Sequence, residues 1–343
     1  MDRESLRALR RVADLPGLVA LGFVLYALGI WALVVRGEVM PLGLLRILDV
    51  QRHLAAGLGP RDGVAAFGSS VLVEGLDCGA VAQGLPAGMP CQNLAWTGGN
   101  AKEWLLAVPA LREAPPRVVV LGLDLPTLVS PGPFPPDRLA VAGYWRFLSD
   151  DELVADRAVL SAEELHVLEG ARAMQLLRFR GLPLNTLNER VREVARSDLR
   201  YAGYATNFVA PWVRLAPSSE AALAVHLDQV GRMIRDGGLG KLRDTLGRVE
   251  FLVGRIRAAA PGARVLLVLT PVHPALVASA PPGALDAVRA EVAALAGRIG
   301  ADARDDTLAL DAAGFSDAVH PFGEGRTRWS LALGRGIAGL LGG

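Results

Sequence analysis

Apolar and polar positions alternate along this chain with a changing period, and each change of period predicts a different kind of element. Residues 15–35 (LPGLVALGFVLYALGIWALVV) carry no charge. A helix needs roughly 20 apolar residues to cross a bilayer core, so the run predicts one transmembrane helix. A cleaved signal peptide is the rival reading. Its apolar stretch usually covers about 7–15 residues and ends in small residues, whereas Val35-Arg36-Gly37-Glu38 offers no such site. Arg3, Arg7, Arg10 and Arg11 precede the run, against Asp2, Glu4 and Asp14, and Arg36 is the cation that follows it. That Lys/Arg bias favours a cytoplasmic amino terminus. The expected organisation is a cytoplasmic tail over 1–14, an anchor over 15–35, a juxtamembrane segment over 36–62 and an α/β domain over 63–343. Within the juxtamembrane segment, 41–60 predicts a helix closed by Gly57-Leu58-Gly59-Pro60.

From Gly63 onward, short β-rich apolar runs alternate with helical stretches, the pattern of a parallel sheet with crossover helices. Strands are expected over 63–68, 91–95, 117–122 and 264–269, with a short fifth near 300–304. Helices are expected over 71–83, 99–112, 239–259, 282–299 and 323–341. Residues 131–238 form an insertion far longer than a parallel crossover requires. It must carry structure of its own, mostly helical, with helices near 155–179 and 187–199. Two aromatic segments punctuate it, Tyr144-Trp145-Arg146-Phe147 and the run from Tyr201 to Trp212. Such clusters serve either as a sugar-stacking platform or partner surface, or as the core of a helical subdomain.

Composition narrows the function classes. Lys+Arg total 36 and Asp+Glu 35, for a net charge of +1; a nucleic-acid partner would call for a basic surplus, so none is expected. Cys78 and Cys91 lie close in sequence, outside the predicted membrane. An oxidising compartment permits a disulfide between them, and two buried thiols acting as small hydrophobes are the alternative. No metal-ligand spacing occurs, and no metal or other cofactor is expected.

Candidate chemistry gathers at the ends of predicted strands. Gly68-Ser69-Ser70 follows the first strand, at the sheet edge where open α/β sheets bind ligands. Ser70 opens the next helix, among amides able to stabilise an oxyanion. A serine at a helix start is also an ordinary cap. Near the other end of the chain, Asp317-Ala318-Val319-His320 precedes the last helix. A serine hydroxyl needs an imidazole base, and the base needs an orienting carboxylate, so Ser70, His320 and Asp317 are the expected catalytic set. After the fourth strand, Pro271-Val272-His273-Pro274 offers His273 as a substrate-binding group or alternative base, or simply as a turn former. His53, His166 and His226 have no such context.

These blocks resemble an SGNH/GDSL-type hydrolase over 63–125 and 262–341. That resemblance implies a flavodoxin-like sheet with helices on both faces, a first-block Gly-x-Ser nucleophile and a last-block Asp-x-x-His. Gly68-Ser69-Ser70 stands where Gly-Asp-Ser is usual. In the second block, Gly98 or Gly99 of Asn93-Leu94-Ala95-Trp96-Thr97-Gly98-Gly99-Asn100 matches the oxyanion-donating glycine. The third block, usually Gly-x-Asn-Asp, reads Gly122-Leu123-Asp124-Leu125. An ionised Asp124 only accepts hydrogen bonds and would repel an oxyanion. Either Asp124 points away, or Asn100 supplies the missing donor, or hydrolysis has been lost; Asp124 is otherwise a candidate substrate-binding group. The anchor and long insertion resemble the membrane-tethered branch of the superfamily, which includes the D-alanine transfer protein of teichoic-acid modification and the exopolysaccharide O-acetyltransferases.

The resemblance implies a serine acyltransferase or esterase at the bacterial inner (cytoplasmic) membrane. It would be single-pass, with its catalytic domain in the periplasm or outside, and would act on an acyl donor and a cell-surface glycan. A membrane-bound acyltransferase or polysaccharide synthase is the partner it suggests. The alternative is a non-catalytic scaffold of an exopolysaccharide or envelope assembly, with the drifted Asp124 block as its support.

Overall fold

The computed structural model describes residues 42–130, 147–173, 208–209 and 217–342, with a few helical positions between 17 and 29. The body comprises Leu42–Phe179 and Leu199–Gly343; a second unit, Met1–Pro41 with Arg180–Asp198, falls almost wholly outside the described residues. So do most of the 15–35 run, the predicted helix 187–199, Tyr144 to Arg146 and all of the 201–212 run except Phe208 and Val209. Among the described residues no helix is long and apolar enough to cross a membrane.

In chain order the elements are α1 (Leu42–Ala55), β1 (Val64–Phe67), α2 (Ser70–Gly75), α3 (Cys78–Gly84), β2 (Cys91–Asn93) and α4 (Ala101–Ala107), which runs into a 3-10 segment at Val108–Arg112. Then follow β3 (Val118–Leu123), α5 (Leu125–Val129), α6 (Asp150–Asp156), α7 (Ala162–Ala173) and α8 (Glu220–Ala259). The chain ends with β4 (Arg264–Leu269), α9 (Pro274–Ser279), α10 (Ala284–Ile299), β5 (Asp302–Asp305) and α11 (Gly323–Leu340). The five strands pair in parallel in the order β2-β1-β3-β4-β5. The sheet is therefore α/β and all-parallel, in an order compatible with the flavodoxin-like arrangement.

Strand side chains point alternately to opposite faces. Val64, Ala66, Val118, Val120, Leu266 and Val268 share one core cluster with α2, α3 and Trp329, Leu333 and Ile337 of α11. The intervening Ala65, Phe67, Val119, Leu121 and Leu267 are equally buried, so the strands read as unbroken apolar runs because both faces are covered. The exception is β5, where Asp302, Ala303, Arg304 and Asp305 give a charged edge strand, a composition that discourages edge-to-edge pairing. In the first cluster α11 lies on α3 with backbones nearly touching. A Cβ added at Gly334 would come within 2.2 Å of the Val81 carbonyl oxygen.

Several helices depart from expectation for identifiable reasons. The predicted helix 71–83 is two helices, because Asp77 caps α3 by accepting from the Gly79 and Ala80 amides. The predicted 99–112 helix starts after Asn100, its N-cap, and tightens to 3-10 from Val108, where Pro109 cannot donate to an α-helical bond. The helix expected at 239–259 begins at Glu220 under a Ser219 cap and packs along α4, α5 and α10. The helix expected at 155–179 is described as α6 and α7, each opened by a serine followed three residues on by Glu: Ser149 with Glu152, Ser161 with Glu164. That reciprocal pattern is a capping box.

The α6 region also buries a charge. Asp156 is fully enclosed, with the Arg255 guanidinium 3.6 Å away and Glu152 ion-paired with the same Arg255. Burial raises the Asp156 pKa to about 6, with Arg255 opposing and Glu152 reinforcing the shift. A raised folded-state pKa means that the stabilising contribution is complete below the ordinary value near 4 and disappears as pH rises through about 6. Asp156→Asn is therefore expected to remain level with wild type in acid and to gain on it by roughly 2–3 kcal/mol between pH 4.5 and 7.5. Paired urea titrations across that range would measure it, and parallel curves would refute it.

Candidate active site

Each strand of the sheet ends, at its carboxyl edge, in a turn carrying a polar group, and the loop before α11 brings two more. At the end of β1 the chain turns through Gly68 and Ser69 into α2. Ser69 caps that helix, its Oγ accepting from the Val71 amide at 3.2 Å and donating to Asp124 Oδ2 at 2.7 Å. Ser70 is then the first helical residue, where backbone amides have no acceptor within the helix.

The 315–321 loop closes on itself. Phe315 bridges to Pro321, and the Ser316 amide donates to the His320 carbonyl at 2.9 Å. Asp317 Oδ1 accepts from the Val319 and His320 amides at 2.9 and 3.0 Å. The three-residue spacing thus lets one carboxylate organise the turn and still reach the ring: His320 Nδ1 lies 2.8 and 2.9 Å from the two Asp317 oxygens. On the other side of the ring, His320 Nε2 lies 2.9 Å from Ser70 Oγ. With Nδ1–H donated to Asp317, Nε2 is left to accept the serine proton. Asp317 and His320 are both buried, where such bonds are stronger than in water. The structure brings together Ser70, His320 and Asp317, residues 250 positions apart at the extremes.

Beside the serine turn lies the Gly98–Gly99 loop. Gly98 has φ of +75°, a left-handed conformation suited to glycine. A Cβ on Gly99 would fall 2.7 Å from the Gly68 carbonyl oxygen, so only glycine allows this approach. The Gly99 amide donates to the Trp96 carbonyl at 3.0 Å. Asn100 is occupied within α4: its Oδ1 accepts from the Lys102 amide and its Nδ2 donates to Glu103 Oε1.

Asp124, the departure of greatest concern in the sequence, is the N-cap of α5. Its Oδ1 accepts from the Thr127 amide at 2.9 Å, and its Oδ2 accepts from Ser69. A carboxylate here ties the end of β3 to the turn bearing Ser70, which gives the aspartate a structural role. Asp124→Ala, which removes a cap and strands a buried hydroxyl, is expected to cost about 2 kcal/mol, and Asp124→Asn less than half of that. Urea unfolding of the two variants would check the order; equal losses would contradict it.

His273 caps α9, its Nδ1 accepting from the Ala275 amide at 3.1 Å, and its ring meets Phe315 edge-on at 5.2 Å. Burial lowers its pKa, against the opposing charge of Asp317. With Nδ1 accepting, the neutral ring carries its proton on Nε2, so His273 acts here as a cap rather than as a ready base.

Two neighbours of the triad went unnoticed in the sequence. His226 of α8, set aside for want of context, has Nδ1 3.7 Å from Asp317 Oδ2. The Ser218 amide just before α8 donates to the Ser316 carbonyl at 2.7 Å, which seats the start of α8 on the triad loop. Glu74 of α2 has Oε1 3.7 Å from His320 Nε2. A signal for Glu74 existed: it lies four residues after Ser70 on a helix, hence on the same face. No comparable signal existed for His226. Among the described residues no group of His, Cys, Asp and Glu has the arrangement to hold a metal.

Cys78 of α3 and Cys91 of β2 are joined by a disulfide. Next to it, the Cys78 amide donates to the Val209 carbonyl and the Asn93 amide to the Phe208 carbonyl, so the insertion returns along the β2 edge. Phe208 is buried there, against His53 and the Arg46 guanidinium. Compared with known proteins, the chain matches no protein-family model and no curated protein.

Proposed function

We propose that this protein is a membrane-tethered, extracytoplasmic serine acyltransferase or esterase that acts on a cell-surface glycan. The observation that carries the reading is the unbroken chain Ser70 Oγ, His320 Nε2, His320 Nδ1, Asp317. In it, His320 takes the Ser70 proton as Oγ attacks an acyl donor, and Asp317 steadies the imidazolium that forms. The resulting oxyanion would rest on the Ser70 amide at the start of α2 and on the Gly98 amide. Water or a sugar hydroxyl then takes the acyl group, since hydrolysis and transfer share the acyl-enzyme.

The location rests on separate grounds. The uncharged 15–35 run is long enough to span, and Val19, Leu21, Val24 and Leu25 within it are exposed apolar side chains. The Cys78–Cys91 disulfide suits an oxidising compartment. Tethering favours transfer, because it holds the enzyme near a membrane-bound acyltransferase or polysaccharide synthase at high effective concentration. A strain carrying Ser70→Ala, with protein level unchanged, is expected to lose acyl groups from its surface glycan. Unchanged glycan acylation would sink the assignment. A carboxyl-terminal alkaline phosphatase fusion should be active; an inactive one, with a cytoplasmic reporter active at the same point, would reverse the topology.

A further inference from the structure

We propose that Glu74 is a binding residue for the acyl acceptor, and that the acceptor it selects is a vicinal diol, one hydroxyl on His320 and the adjacent one on Glu74. The inference rests on the serine acyl-enzyme reading above and names the acceptor chemistry of that same site.

Glu74 lies one helical turn after Ser70 on α2 and so shares its face. Its side chain is 11% exposed and that of His320 8%, so neither is sealed off. Glu74 Oε1 lies 3.7 Å from Nε2, the nitrogen that faces Ser70 at 2.9 Å. That distance is too long for a hydrogen bond between the two side chains. Arg326 of α11 adds a charge near Glu74 and Asp77, giving the carboxylate a cationic neighbour. A carboxylate beside the acylating serine works against the developing oxyanion. Its use lies in the second half-reaction.

In that step the acceptor oxygen must reach Nε2, where the Ser70 proton had been. Adjacent hydroxyls held gauche place their oxygens close to one hydrogen-bond length apart, about 2.8 Å. One therefore donates to Nε2 while its neighbour donates to Oε1, bridging the 3.7 Å gap. The first oxygen attacks the acyl carbon as its proton passes to Nε2. The new carbon–oxygen bond forms, the bond from the acyl carbon to Ser70 Oγ breaks, and the imidazolium returns its proton to Oγ. Water has no second hydroxyl to place, and neither has a simple alcohol.

The test uses the purified protein acylated with p-nitrophenyl acetate. Acetyl transfer to ethylene glycol is compared with transfer to its monomethyl ether, which lacks the second donor. Wild type is expected to prefer the glycol by about tenfold, the worth of one hydrogen bond to a charged group. Glu74→Ala should collapse that ratio towards unity and Glu74→Gln should leave it in between. The ratio divides out any effect on acylation or on His320. A wild-type ratio near one overturns the proposal without recourse to any variant, as does a ratio unchanged in Glu74→Ala. A carboxylate that only steadied the imidazolium would slow both acceptors alike and leave the ratio where it was. Absence of Ser70-dependent nitrophenol release in wild type would instead sink the acyl-enzyme reading itself, a result distinct from release with no acceptor preference.

Discussion

Ser70→Ala is expected to abolish labelling by a fluorophosphonate probe, and His320→Ala to slow it by about a thousandfold or more. Triad members act as a unit, and removing the nucleophile or base from such a unit costs about as much as removing the whole. Asp317→Asn should slow labelling by roughly a hundredfold to ten-thousandfold, because it disturbs the tautomer of His320 as well as its charge partner. Two bonds to His320 Nδ1 and two from the loop amides converge on that one carboxylate. Circular dichroism must show each variant folded. Labelling that persists in Ser70→Ala places the nucleophile elsewhere; labelling equal in His320→Ala and wild type removes the histidine from the mechanism.

The largest stability effect should come from Arg46→Met. Arg46 is 2% exposed. It donates from Nε to the Ala95 carbonyl at 3.1 Å and from Nη2 to the Asn93 carbonyl, with its guanidinium 4.6 Å from the Phe208 ring centroid. Methionine fills most of the space but leaves buried carbonyls unmet, a loss of about 2–4 kcal/mol. In a unit of this size that lowers Tm by roughly 6 °C. Arg46→Lys should recover less than half, because an ammonium lacks the planar fork. Differential scanning calorimetry would measure both, and an unshifted Met variant would mean that the carbonyls find water. The same carbonyls lead into the Gly98–Gly99 loop, so α1 is part of the body that positions the site, although its sequence reads as a mere connection to the anchor.

Much of this was legible from the chain. Arg264–Leu269 is a strand with the expected bounds because five consecutive apolar or β-branched positions, Val265 to Leu269, between polar turns have few alternatives. The triad was legible because each member follows a recognisable break, Gly68 in one case and the turn before α11 in the other. Helix limits were less so. The Gly237-Gly238-Leu239-Gly240 stretch reads as a boundary by propensity, yet α8 runs through it, because packing against α4, α5 and α10 outweighs the weak preference of single residues. The role of Asp124 was illegible for a different reason. Whether a carboxylate faces an oxyanion or caps a helix depends on its side-chain direction, and the decisive partner, Ser69, lies 55 residues away.

The distance in sequence between Ser70 and His320 has a consequence for the timing of synthesis. Ser70 is made first, while His320 follows 250 residues later, immediately before α11. α11 in turn docks through the Gly334 contact on α3, the helix that follows α2 and its Ser70. A nascent chain therefore carries Ser70 without its imidazole neighbour until α11 has been made and seated. On the reading proposed above, the pairing of Ser70 with His320 is a late event of folding, so a chain halted before α11 would not yet be a competent esterase.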